Sequence, residues 1–366
     1  MKNQLLLLLI CIVLFIGCTE KKESMKPQTL FVGTYTDGDS EGIYKLTFDP
    51  NSGKLNDQKL VAELPNPSFL AISKDKKNLY AVQETADFDS LGGGVTAFRL
   101  KEGSLELQNS LGTQGAHPCH VALSNDGQLA VSNYTGGNLA VFDLNEDGSL
   151  KQNPQVIDHK VLDTAKTAHV HKAHFNSDGL FVADLGLDAV KRYSRNGEKW
   201  VNAHQASLDM LAGAGPRHFT FNKDQEFLYI INELNSSITV LQRDDEGSYN
   251  ELETQSTLGE DFDDESFCAD IHLSADGKFL YGSNRGENTI VIFAVDAKTG
   301  KLSVAGRTAV EGDWPRNFTM SPDGGYLLVA NQRSNNISVF KRDSKTGLLM
   351  FTSEFKMGAP VCLVFR

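Results

Sequence analysis

The chain has 366 residues, with 35 Lys and Arg against 47 Asp and Glu, so its formal net charge is −12 at pH 7. That acidic balance argues against nucleic acid as a partner, because holding phosphates needs a basic face. Five cysteines at irregular spacing do not make a disulfide framework.

The N-terminus reads as a targeting segment. Lys2 precedes an apolar run over residues 5–16, and Phe15, Ile16, Gly17 and Cys18 form a lipobox with a small residue at the cleavage position. A membrane-spanning helix needs about 20 apolar residues, more than this run supplies. Residues 1–17 are therefore read as a lipoprotein signal peptide cleaved before Cys18, whose thiol then carries lipid; an uncleaved anchor is the competing reading. Residues 18–28 are polar and unpatterned, and are expected to be a flexible tether. The protein is thus expected to be exported and lipid-anchored at the cell envelope, in the outer membrane or a periplasm-facing membrane, with no other membrane contact. Thr19 stands where Asp favours inner-membrane retention in some bacteria, a preference for the outer membrane. Cys11 leaves with the signal, and Cys119, Cys268 and Cys362 are read as small core residues.

From residue 29 onward the chain repeats. A polar turn recurs around Asp75, Asp126, Asp178, Asp224, Asp276 and Asp323, at intervals of 51, 52, 46, 52 and 47 residues. Each turn lies between two short apolar runs with strand character, and each second run leads to a third, as at residues 95–100, 139–144 and 290–295. A Gly-containing turn and a weaker fourth strand follow. Four short antiparallel strands at this period are propeller blades. Residues 30–36 match the second strand of the repeat with no first strand before them, and residues 358–365 match the first strand with nothing after them. Together they make a seventh blade. The predicted fold of residues 29–366 is therefore an all-β, seven-bladed β-propeller of four-stranded antiparallel blades, its ring closed by the C-terminal strand joining the N-terminal blade, which leaves no open sheet edge between the termini.

Aligning the blades on the turn Asp yields two columns that share the face opposite the hairpin turns. The start of the inner strand holds Ser68, Cys119, His171, Arg217, Ala269, Arg316 and Val361. The position after the second strand holds Thr36, Glu84, Tyr134, Leu185, Glu233, Arg285 and Gln332. His171, Arg217, Glu233, Arg285 and Arg316 then converge on one opening, a reversal of charge in an acidic protein. Any one of them alone reads as a strand-end ion pair of little energetic weight. A concave site with a carboxylate, an imidazole and guanidiniums is a functional hypothesis.

The remaining candidates are weaker. His117 and His169 sit in the loops leading into inner strands, where substrate contact is expected. His120 and His218 are one step from the active column, so strand alternation turns them away. His174 and His272 are read as packed. No Cys or His pair has zinc spacing and no loop concentrates acids as a calcium loop does; the acidic run 259–266 reads as solvated. No Walker, nucleophile-elbow or dinucleotide motif occurs. No metal and no cofactor are expected, and a monomer is.

With these motifs on the page the chain resembles the seven-bladed lactonase family, which includes the propeller-type bacterial 6-phosphogluconolactonase and the fungal carboxy-muconate lactonising enzyme. The resemblance runs from about residue 30 to 366 and rests on FVGTYT (31–36), HPCHVAL (117–123), NYTGGNLAVF (133–142), AHVHKAHF (168–175), ADLGLDAV (183–190), GPRHFTF (215–221), NEL (232–234), SNRG (283–286) and WPRNFTMSPDG (314–324). It implies a site of one His, two Arg and one Glu, matched here by His171, Arg217, Glu233 and Arg285; Arg316 is added by the columns. Ala168 stands where the family's His motif has Pro, and the lipoprotein signal is a further departure. The implied activity is hydrolysis of a sugar-acid lactone, with Glu233 or His171 as general base on water and arginines stabilising the oxyanion and binding a carboxylate or phosphate. Because a phosphorylated sugar lactone is made in the cytoplasm, an exported relative is expected to meet a different, non-phosphorylated lactone. Two alternatives stay open: a cycloisomerase closing an unsaturated diacid lactone, and a non-catalytic propeller binding carbohydrate or protein.

Overall fold

The computed structural model of the chain describes residues 25–366. The segment read as a signal peptide, Cys18 and most of the segment read as a tether lie outside the described residues. Strand pairing begins at Gln28, opposite Phe48.

The described chain forms seven four-stranded antiparallel sheets, each ordered consecutively outward, except that the first places Pro360–Phe365 innermost, beside Gln28–Thr34. This is the predicted seven-bladed propeller, closed as expected. Leu30 pairs with Phe365, Val32 with Leu363 and Gly33 with Cys362, so the two ends of the polymer share a ladder. With the joining blade counted as blade one, the inner strands of blades two to seven are Leu70–Ile72, Pro118–Leu123, Val170–Asn176, Pro216–Phe221, Phe267–Leu273 and Pro315–Met320.

The core is seven cores. Five of the seven second strands are buried along their whole length, as in Phe227–Asn232 and Tyr326–Asn331, because both faces meet neighbouring sheets. One apolar cluster fills each of the seven gaps between blades; Ile230 and Phe181, for example, share the gap between blades four and five. The gaps are also stitched by hydrogen bonds. Tyr229 donates to the carbonyl of Gly300 at 3.2 Å and Tyr281 to that of Gly347 at 2.8 Å. Gly300 has φ +69°, and a Cβ there would stand 2.2 Å from the Phe227 ring, so only glycine satisfies both the turn and the packing.

Three of the six turn aspartates, Asp75, Asp276 and Asp323, accept from the serine two residues before them. Ser73 donates to Asp75 at 2.6 Å and Ser274 to Asp276 at 2.6 Å, each drawing its own hairpin tight. At the other end of the second strands, Asn133, Asn284 and Asn331 donate to the loop carbonyls of Thr113, Thr257 and Val310. Asn232 differs: it donates to the hydroxyls of Ser237 and Thr239.

Candidate active site

The hairpin Pro216–Phe221 to Phe227–Asn232 pairs Pro216 with Asn232; Arg217 and Glu233 lie one step to either side of that pair, close enough for their side chains to meet. Glu233 N donates to Gly215 O at 2.7 Å and anchors that end. Gly215, at φ +66°, makes the approach; a Cβ there would meet Leu234 at 2.6 Å.

Around this pair a cavity of about 190 Å³ is lined by Glu84, Cys119, Tyr134, His171, Arg217, Glu233, Arg285 and Arg316. The structure thus gathers His171, Arg217, Glu233, Arg285 and Arg316, drawn from blades four to seven, into one polar space on the face opposite the hairpin turns. A larger groove of about 660 Å³ lies elsewhere, along the turns at residues 124–126 and 176–179. It contains none of the predicted site residues.

Glu233 holds two of the arginines. Its Oε2 lies 2.8 Å from Arg217 Nε and 2.8 Å from Arg285 Nη2. Arg217 Nε–H does not point along its contact, so that pairing is charge on charge rather than an aligned hydrogen bond. Both guanidiniums also donate to backbone carbonyls. Arg217 Nη1 donates to Ala269 O, and Arg285 donates to Phe267 O at 3.2 Å and to Cys268 O at 2.9 Å. Arg285 also packs over the Trp314 ring, 5.3 Å from its centroid. Burial brings the Arg285 guanidinium down to about 10, against the pull of Glu233, and also lowers Arg217. Both remain cations at neutral pH.

Arg316 is held differently. It lies 4.0 Å from Glu84 and over the Tyr35 ring at 5.4 Å. Glu84 is itself turned away from it by Ser68 and by Tyr35, whose hydroxyl donates to Glu84 Oε2 at 2.9 Å. Arg316 is therefore the guanidinium least committed to a carboxylate. His171 is 3% exposed, and burial, together with Arg217, His218 and Arg316, pushes its pKa well below the usual histidine value. It is a neutral imidazole at pH 7, beside cations that cannot accept its proton.

Several expectations need correction, all for one reason. The inner strands carry a β-bulge at their start: the register slips between Pro118 and His120, Val170 and Lys172, Pro216 and His218, Pro315 and Asn317, and Pro360 and Cys362. The extra residue is Cys119, His171, Arg217, Arg316 or Val361, so the site residues are the bulged ones. A bulge breaks alternation, and the residue after it also faces the channel. His120 and His218 are therefore not turned away: the His218 ring stands 5.0 Å from that of His171 and 5.6 Å from that of His120. Cys119 lines the cavity, whereas Cys268 and Cys362 are core residues as read. His272 is not simply packed; it reaches Asp270 at 3.0 Å with a side chain 38% exposed, and His174 is exposed. The prolines at 118, 216, 315 and 360 were the available signal, since a strand-opening residue without N–H invites irregular pairing.

His117 and His169 stand outside the cavity lining. His117 Nδ1 meets Thr135 Oγ1 at 2.9 Å. His169 stacks on Tyr134, 4.5 Å between rings and 15° from parallel, and so backs a lining residue. Glu84 stood in the second column but was not singled out; Tyr35 was missed, because nothing near it in sequence announces its hydroxyl. Among the described residues no cluster of His, Cys, Asp and Glu has the geometry to hold a metal ion.

A closed seven-bladed ring with arginines, a paired carboxylate and a neutral imidazole around one small cavity defines a propeller hydrolase type of site. Residues 29–365 match the family described as "Lactonase, 7-bladed beta-propeller", and the chain belongs to that family. It is 35% identical over 297 residues to a 6-phosphogluconolactonase of Bacillus subtilis, covering 79% of this chain and 83% of that protein. A 6-phosphogluconolactonase of Formosa agariphila is 36% identical over 312 residues, covering 80% and 86%. Among solved structures, a periplasmic gluconolactonase of Pseudomonas aeruginosa superposes with a TM-score of 0.87 at 34% identity, covering 93% of this chain and 99% of that one.

Proposed function

We propose that the chain is a hydrolase that opens a sugar-acid lactone, with His171 as the general base. The observation that carries this reading is the single 190 Å³ cavity in which a neutral, buried imidazole faces guanidiniums tied to one carboxylate oxygen. A base must be unprotonated at working pH, and His171 is. Glu233 holds two cations at 2.8 Å and acts as the counter-ion that fixes Arg217 and Arg285 rather than as the proton acceptor.

In this reading the lactone carbonyl oxygen points at the guanidiniums. Water attacks the carbonyl carbon as His171 takes its proton, and the tetrahedral oxyanion is stabilised by fixed positive charge in a dry site. Collapse breaks the bond to the ring oxygen, which recovers the proton from the His171 imidazolium and leaves as a hydroxyl. The product is an open hydroxy acid, whose carboxylate suits Arg316. Hydrolysis of glucono-1,5-lactone and 6-phosphogluconolactone by the purified chain, followed as acid release, tests this. No turnover on either would overturn it and favour a binding platform.

We further propose export and lipid attachment at Cys18, with the propeller acting as a monomer. Support comes from the lipobox at residues 15–18 and from the periplasmic naming of the Pseudomonas relative. Retention of labelled palmitate by the wild type and its loss in Cys18→Ser is the expected result.

A further inference from the structure

Next to the substrate cavity, and sharing Cys119, His171, Arg217 and Arg316 with it, lies a second, smaller pocket of about 10 Å³ that His218 also lines. That is the space of a single water. Three imidazole nitrogens of this cluster are buried without a partner among the described residues, Nδ1 of His120, Nδ1 of His171 and Nε2 of His218, and of the three rings those of His171 and His218 line the small pocket. An unpaired buried nitrogen is costly, and two on neighbouring rings 5.0 Å apart call for each other.

The pairing has a direction. His218 Nδ1 lies 2.8 Å from Asp270 Oδ1, and a carboxylate only accepts, so Nδ1 carries the proton. Asp270 is 2% exposed. It accepts from His272 at 3.0 Å, from the Asn317 amide and from the Ile271 N–H at 2.9 Å; burial opposes the charge, but His272 and His218 hold the carboxyl well below its usual range. Burial also keeps His218 neutral, at about 3 in spite of Asp270. A neutral ring protonated at Nδ1 presents Nε2 as a pure acceptor. His218 lines both the small pocket, with His171, and the neighbouring one that holds Asp270; with Nδ1 on Asp270, its Nε2 edge is the one left for the His171 side.

We propose that Asp270 and His218 are positioning residues for His171: they hold it in the Nδ1–H tautomer, through the one water the pocket accommodates, so that its Nε2 lone pair faces the lactone. This rests on the hydrolase reading above, in which His171 is the base. Asp270, His218 and His171 come from inner strands of three consecutive blades, and the bulges at their starts bring the two rings edge to face at 5.0 Å. The chain performs the task of the third member of a hydrolase triad with an imidazole interposed. In the opposite tautomer, Nε2–H would face the substrate and no lone pair would be available to water.

The test reads the tautomer itself. In the full chain labelled with nitrogen-15 histidine, at pH 7 and without substrate, His171, assigned from the signals lost in His171→Gln, is expected to be protonated at Nδ1 and bare at Nε2. Asp270→Asn, able to donate toward His218, is expected to reverse both rings and to lower kcat roughly 10²- to 10⁴-fold with KM within about threefold, while Asp270→Glu recovers part of kcat. If Asp270→Asn does not fold, His218→Gln is carried through the same two measurements with the same expectation for kcat. Protonation of His171 at Nε2 in the wild type would overturn the proposal, and so would unchanged kcat in the folded variant. An absence of lactone hydrolysis overturns the hydrolase reading alone, because the tautomer is read without turnover.

Discussion

Arg285 Nη2 and Glu233 Oε2 meet at 2.8 Å across the boundary between blades five and six, and Arg217 reaches the same oxygen from within blade five. One carboxylate oxygen thus sets the position of two guanidiniums that are each 5% exposed or less. The placing of both guanidiniums in the cavity depends on that oxygen.

Glu233→Gln leaves two buried cations without their counter-charge. Removing one partner of a buried pair costs about 3 kcal/mol or more, so a clear fall in urea-unfolding stability is expected, together with at least a 100-fold drop in kcat/KM. Acid release from gluconolactone checks the second part; unchanged turnover would remove Glu233 from the mechanism.

His171→Gln is expected to lose roughly 10²- to 10⁴-fold in kcat while the chain stays folded. In the wild type the rate should rise with pH through the His171 pKa and level off above it. Because that pKa lies well below the ordinary 6.5, kcat should be flat from pH 6.5 upward, with its acid limb lower down. An acid limb centred at or above 6.5 would contradict the assignment.

Stability should fall on acidification. His120, His171 and His218 have folded-state pKa values depressed by burial, so below about 6.5 the unfolded chain binds protons that the folded chain refuses. Their stability contribution is complete above 6.5 and is lost as pH falls toward 3. The slope approaches about 1.4 kcal/mol per pH unit for each histidine. Melting temperatures measured from pH 7 to pH 4 check this; a flat profile would not fit.

Arg316→Met removes the guanidinium that faces Glu84 at only 4.0 Å. Its role in holding the substrate predicts a rise in KM of about tenfold or more, with kcat changed less.

Truncation after Ala359 deletes the strand Pro360–Phe365, whose partners are Leu30–Thr34. The inner edge of blade one is then open, and two apolar clusters lose Cys362 and Leu363. Insoluble product is expected, readable by fractionation after expression.

Much of this was legible in one dimension because a propeller is a repeat. Turn aspartates such as Asp224 and Asp276 mark identical points on successive blades, and an alignment of the chain with itself placed His171, Arg217, Glu233 and Arg285 on one rim without coordinates. Ring closure was legible too, since an unpaired first strand at one terminus and an unpaired second strand at the other require each other. What alternation could not reach was the layer beneath. His218 and His120 face the channel because an extra residue, Arg217 or Cys119, interrupts the two-residue period at the strand start, and a period says nothing about where it is broken.

By itself, then, the sequence determined the number of blades, the way the ring closes and which residues share its upper rim, because these follow from local pattern and repetition. Only the tertiary structure decided that Glu233 binds two arginines through a single oxygen, that Arg316 is the least committed of the three and that Asp270 lies beneath His218. Apart from the Arg217–Glu233 contact, which lies inside the hairpin of blade five, those relationships join strands of different blades, set by bulge and packing at distances of a few ångström, and no spacing along the chain encodes them.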